Sequence, residues 1–307
     1  MGIPTLRNQI DANRMKTFVL MLGFSIFIFL VAYILVLALG YKGPGALGFV
    51  GIILIVSGLI NLGSYYWSDK LVLGLTGAEP INKKDNPELY RVVENLTIAA
   101  GSPMPGIYVI NDPSPNAFAT GRNPNHAVVV FTTGLLNRLE KLELEGVAAH
   151  ELSHVRNYDT RLMSIIVILV GIVALLSDIF FRSLWWGGRS RDRRDNGVLM
   201  IIGILAAIIA PIAAQLIKLA ISRRREFLAD SSGALLTRNP EGLASALLKI
   251  SSDQTPAKHA SSATAHLFIV NPFKGEQAKS WFVSLFSTHP PTEERVKALR
   301  SSQGAPL

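Results

Sequence analysis

Two uncharged apolar runs near the amino terminus constrain this chain more than any other feature. Phe18 to Leu39 carries no charge over 22 residues (18–39). At about 1.5 Å per helical residue, such a run crosses a hydrocarbon core of roughly 30 Å. Lys42, Gly43, Pro44 and Gly45 interrupt the pattern, and Ala46 to Trp67 is apolar again, closing on Tyr65, Tyr66 and Trp67. Aromatic residues concentrate at membrane interfaces, so the two runs predict a transmembrane hairpin. The first run is too long for a cleaved leader, and a second follows directly, which favours a retained anchor. Arg7, Arg14 and Lys16 precede the first run, against Lys42 alone in the turn. Basic residues stay on the cytoplasmic side, which places the amino terminus and everything after Trp67 there.

Composition agrees with a chain partly in lipid. Charged residues make up 17% and mean hydropathy is +0.34, whereas soluble domains carry roughly a quarter charged residues. Disorder and collagen are excluded. The net charge of +8 follows from basic loops beside anionic headgroups, and no aromatic-interleaved basic patch points to nucleic acid. Cysteine is absent, so disulfides and thiolate ligands are excluded and any metal must be held by His and carboxylate.

A second apolar pair is less pure. Leu162 to Phe181 contains Asp178, and Val198 to Ile221 contains Pro211, Gln215 and Lys218. The loop between them holds Arg182, Arg189, Arg191, Arg193 and Arg194, and two crossings leave it outside, against the charge rule. The pair either spans despite its loop or lies shallow over a cavity; spanning is the expectation. Between and after these runs the composition is globular. Asn86 to Ala100 reads as a helix with Pro87 in its first turn, Ile107 to Ile110, Asn116 to Thr120 and Ala127 to Phe131 as a small sheet, and Thr133 to Asn157 as helical. The expected organisation is a hairpin over 1–67, a cytoplasmic region over 68–160, a second hairpin over 161–221 and a carboxyl-terminal region over 222–307. The fold class is an α-helical integral membrane protein carrying a mainly α (α+β) zincin-like domain with a small β-sheet.

The chemistry concentrates in His150, Glu151, Leu152, Ser153 and His154, an H-E-x-x-H motif amid good helix formers. At i and i+4 both imidazoles share a face and can bind one metal ion, while Glu151 is placed to take a proton from a bound water. A catalytic zinc needs a third protein ligand. Glu226 is the best candidate, with Asp230 one turn further to accept the free N–H of a ligating histidine. The alternative for Glu226 is a helix cap or a partner of Arg223 to Arg225.

Taken with Asn116-Ala117-Phe118-Ala119-Thr120-Gly121, the Arg225 to Asp230 stretch and a late His289-Pro290-Pro291 followed by Arg295, the chain resembles the HtpX-type membrane metalloproteases. These are relatives of the CAAX prenyl endopeptidases, and the resemblance covers nearly the whole chain. It implies a zinc endopeptidase (a gluzincin) of the plasma membrane, its site facing the cytoplasm, acting on misfolded membrane proteins under stress. It implies one Zn2+ held by His150, His154 and Glu226, Glu151 as general base, and Asp230 behind the ligands. It also implies that Asn116 to Thr120, or Ala127 to Phe131, offers an exposed edge strand that pairs with extended substrate, with Asn116, Ala117 and Phe118 as substrate contacts. Asn116 reads equally as a turn residue after Pro113 and Pro115. His289 and Arg295 are candidate oxyanion or substrate contacts, against a plain last surface helix. His126, His259 and His266 read as loop or core positions. Competing readings are a prenyl-protein endopeptidase and a non-proteolytic membrane scaffold that binds unfolded segments.

Overall fold

The computed structural model describes residues 6–38, 44–169, 223–261, 263–274 and 290–301, with only some of the side chains of the first two helices. The elements are α1 (Leu6–Ala38), α2 (Pro44–Thr76), β1 (Glu79–Pro80), α3 (Pro87–Ala100), β2 (Gly106–Ile110), β3 (Ala117–Thr120), β4 (Val128–Thr132), α4 (Thr133–Arg138) and α5 (Lys141–Arg156). They continue with α6 (residues 159–169), α7 (Arg223–Thr237), α8 (Pro240–Ser252) and α9 (Thr292–Ser301).

Local chemistry sets the boundaries. The Asn86 side chain accepts from the Leu89 amide, Pro87 starts α3, and Gly101 ends it at φ 59, the usual cap-to-αL grammar of a helix. The stretch expected to be helical over 133–157 holds two helices. Leu139 and Glu140 are extended, and the Glu140 amide donates to the Glu143 carboxylate at 2.8 Å. A capping box there starts α5 afresh.

The sheet runs β1-β2-β4-β3. β2 and β4 are parallel, with Tyr108 opposite Val130, whereas β3 runs antiparallel to β4, with Phe118 opposite Val130. All of β4 is buried, as a strand covered on both faces must be. One core joins Phe131, Val129, Leu89 and Val93 to Val147, Leu152 and Val155 of α5 and Leu243 and Leu247 of α8. Two glycines set helix spacing. A Cβ on Gly146 would lie 2.6 Å from the Leu243 amide nitrogen, and one on Gly233 3.0 Å from that of His150, so α8 and α7 meet α5 almost backbone to backbone. Glu143 adds a polar tie to α8, accepting from Ser245 at 2.6 Å and Lys249 at 2.8 Å.

A second cluster sets Leu20 and Phe24 of α1 against Leu162, Ile165, Ile166 and Leu169 of α6. Elsewhere α1 and α2 present apolar side chains outward, among them Phe18, 63% exposed, and Ile55, 66% exposed. Each of these helices is 33 residues long. Among the described residues no helix is long and apolar enough to cross a membrane. The fold is mainly helical with a small mixed sheet. The expected second hairpin lies, apart from α6, outside the described residues.

Candidate metal centre

The site is assembled from two helices packed face to face. α5 supplies His150 and His154 one turn apart, and α7 supplies Glu226 and Asp230 at the same spacing. Small residues bring them together: Ala149 and Ala229 are fully buried, and Gly233 lies against His150. The His150 and His154 Nε2 atoms are 3.2 Å apart. Glu226 Oε1 is 3.6 Å from His154 Nε2, and its Oε2 is 3.9 Å from His150 Nε2.

Each imidazole is held from behind. His150 Nδ1 lies 2.9 Å from Asp230 Oδ1, and His154 Nδ1 lies 3.0 Å from Asp159 Oδ2. A carboxylate at Nδ1 favours the tautomer with the proton on that nitrogen and turns Nε2 of both rings toward one point. Two Nε2 atoms and a carboxylate converging there are a donor set for a cation, which on binding displaces the ring proton that His154 otherwise holds. The spacing fits one: ligand atoms about 2.0–2.1 Å from a tetrahedral ion lie roughly 3.4 Å from one another. Among the described residues His150, His154 and Glu226 are the group that could hold a metal ion, and all three are buried.

Asp159 was not singled out in the sequence, because it follows α5 rather than sharing a helix with a ligand. Tyr158, at φ 59, turns the chain back and carries Asp159 to His154. The only sequence signal was a carboxylate five residues past the motif.

Arg295 is buried against the candidate ligands, its Nη1 3.8 Å from Glu226 Oε2 and its Nη2 3.5 Å from His150 Nε2. It is 1% exposed. Its Nε and Nη2 donate to the two Asp230 oxygens at 2.9 and 2.7 Å, and its Nη1 donates to the Ile269 carbonyl at 2.9 Å. A planar guanidinium forks onto a carboxylate in this way, so Arg295 fixes Asp230 and, through it, His150. His289 lies outside the described residues.

These contacts polarise the cluster. Burial alone would raise the Asp230 carboxyl, but the Arg295 charge and hydrogen bonds, with His150, hold it at about 2. Burial lowers His150 to about 4 against the pull of Asp230. Burial acts downward on His154 too, yet the Asp159 hydrogen bond and the charges of Glu226, Asp159 and Glu151 carry it to about 9. Burial raises Glu151 to about 7, Glu226 adding and His154, Arg295 and a hydrogen bond from the Ala119 amide opposing. A carboxylate held near neutrality is suited to exchange protons at physiological pH.

β3 is the edge strand beside this cluster, yet it is not the exposed edge that the sequence suggested. All four of its residues are buried. The Ala117 carbonyl accepts from the Ile269 amide at 2.9 Å. Asn116 donates through Nδ2 to the Val270 carbonyl at 2.8 Å, and its Oδ1 accepts from the Val270 amide at 3.4 Å. Phe118 packs edge-on against Phe268 with ring centroids 5.2 Å apart, so its side chain is core. His126 bonds Asn123 on the surface, and His266 is buried beside the Met163 carbonyl, as expected for loop and core histidines.

Residues 83–303 match the model of peptidase family M48. The chain is 47% identical over 296 residues to the protease HtpX homolog of Dictyoglomus thermophilum, covering 96% of this chain and 94% of that one. It is 45% identical over 308 residues to the protease HtpX homolog of Thermoanaerobacter pseudethanolicus, covering 98% and 99%. The crystal structure of S. mikatae Ste24p is similar at 18% identity with a TM-score of 0.46, covering 96% of this chain and 66% of that chain. The chain therefore belongs to peptidase family M48 and is a metallopeptidase.

Proposed function

We propose that this protein is an integral membrane zinc endopeptidase that cleaves misfolded or damaged membrane proteins in stress-linked quality control. The carrying observation is the buried set of His150, His154 and Glu226, with both imidazoles braced by carboxylates and Glu151 beside them. Two imidazoles and one carboxylate at tetrahedral spacing suit zinc. When bound, such an ion lowers the pKa of a coordinated water and polarises a carbonyl.

The remaining roles belong to the chain. Glu151, near neutrality, takes up a proton from the attacking water and returns it to the departing amine. Asp230 and Asp159 keep both imidazoles in the ligating tautomer, and Arg295 keeps Asp230 ionised. Extended substrate adds to the edge of β3 through main-chain bonds that ignore sequence, with Asn116 and Ala117 in reach once the Ile269–Val270 pairing opens. This suits an enzyme of many unfolded segments. On the sequence, the apolar runs over 18–39 and 46–67 are taken to cross the plasma membrane, and the Arg7, Arg14 and Lys16 bias sets the site on the cytoplasmic face.

The test compares wild type with Glu151→Gln, purified in detergent. Metal per chain is measured, and casein cleavage is followed with and without chelator. One zinc in both, with cleavage by wild type alone and its loss on chelation, is expected. Zinc in both with cleavage by neither supports the scaffold reading, and cleavage by both removes Glu151 as base.

A further inference from the structure

Where the apolar runs end, the chain gathers arginine and aromatic side chains in one place. Tyr65, Tyr66 and Trp67 close the second run, and Arg161 immediately precedes the third. The two ends meet. The Arg161 guanidinium lies 5.5 Å from the Tyr65 ring centroid and 5.0 Å from that of Tyr158, and the Arg122 guanidinium lies 5.4 Å from that of Tyr66. Main-chain bonds tie the group together: Arg161 Nε donates to the Arg122 carbonyl at 2.7 Å, and Arg122 Nη1 donates to the Tyr66 carbonyl at 2.8 Å. Trp67, where α2 kinks at φ −118, is 57% exposed beside them.

Among the described residues no carboxylate pairs with Arg122 or Arg161. Both are partly exposed, and each keeps further N–H groups beyond those bonds. Stacking on an aromatic face holds a guanidinium plane in place without neutralising it. Two guanidinium groups held on tyrosine faces where the second and third apolar runs of the sequence end, with no carboxylate against them among the described residues, match one ligand chemistry: a phosphate at headgroup depth.

We propose that Arg122 and Arg161, framed by Tyr65, Tyr66, Trp67 and Tyr158, form a binding site for the headgroup phosphate of an anionic phospholipid. It rests on the reading of the second and third apolar runs as lying in the bilayer. The site sits close in sequence to the metal centre, since β3 ends two residues before Arg122 and Asp159 lies two residues before Arg161. A bound headgroup therefore sets the height of β3 and Asp159 above the membrane plane.

The test uses the full chain in phosphatidylcholine vesicles carrying trace spin-labelled phosphatidylglycerol or spin-labelled phosphatidylcholine. Each basic residue near a membrane surface favours anionic lipid by about fivefold. Phosphatidylglycerol is expected to be immobilised at least fivefold more strongly than phosphatidylcholine. Arg122→Gln/Arg161→Gln should abolish the preference, while Arg122→Lys/Arg161→Lys, which keeps charge and bulk, should retain part of it. Equal immobilisation of the two lipids by wild type, or an unchanged preference in the glutamine pair, overturns the proposal and leaves the membrane reading standing. Displacement by millimolar inorganic phosphate also overturns it, by revealing a free-anion site. If neither lipid is immobilised, the membrane reading itself fails and the proposal falls with it.

Discussion

Asp159 does for His154 what Asp230 does for His150. Removing a carboxylate behind a metal-bound histidine typically lowers metal affinity 10–100-fold. Asp159→Ala should weaken metal binding by about that factor with the fold intact, read by competition with a chromophoric chelator; unchanged affinity would detach Asp159 from the site. Asp230 also shapes the acid stability of the metal-free protein. Asp230 sits at about 2 against an ordinary 3.8, so its contribution is present above 3.8 and is lost as pH falls from about 4 to about 2, by about 2 kcal/mol. At higher pH, His150 and Glu151 act in opposite senses. Lowered to about 4, His150 loses stability as pH falls from 6.5, while Glu151, raised to about 7, gains it as pH falls toward 4.5. Urea titrations of chelated protein should show the steepest acid loss below pH 4, and Asp230→Asn should flatten it.

At the scale of elements, the centre exists because α7 and α8 pack on α5 at backbone distance. Gly146 permits this at the α8 crossing, where a methyl group has no room. Overpacking of this kind costs about 1–3 kcal/mol. Gly146→Ala should lower the thermal midpoint accordingly and loosen metal binding, whereas an alanine at Gly101, where a Cβ meets nothing within 4 Å, should leave metal binding alone. β3 shows a second consequence of packing: an edge strand expected from the sequence is nonetheless covered, because the Ile269–Val270 segment is drawn onto it by Asn116 on one side and Arg295 on the other.

Across the whole molecule, the described ends of the second and third apolar runs lie together at Tyr65 and Arg161, with Arg122 beside them. A bilayer reading with four crossings then puts the arginine-rich loop over 189–194 on the opposite side. Trypsin added outside sealed, right-side-out vesicles should cut that loop, and trypsin confined to the cytoplasmic face should not. The reverse pattern would remove the crossings on either side of it and leave the metal centre untouched.

Much of the site was legible in the sequence because its ligands obey helical periodicity. His150 with His154, and Glu226 with Asp230, are one turn apart, and a turn is the longest range over which spacing alone fixes which side chains share a face. The start of α3 at Pro87 and the strands β2, β3 and β4 were legible for the same local reason, whereas β1 was not. What lay beyond that range was decided by tertiary structure. Asp159 reaches His154 through a left-handed residue at Tyr158, Arg295 meets Asp230 across 65 residues, and Asn116 meets Val270 across 154. In each case a buried polar group needed a partner, and the fold supplied whichever one packing brought within hydrogen-bond distance. The sequence therefore determined the metal-binding donors, while only the packed structure determined the groups that hold them in place.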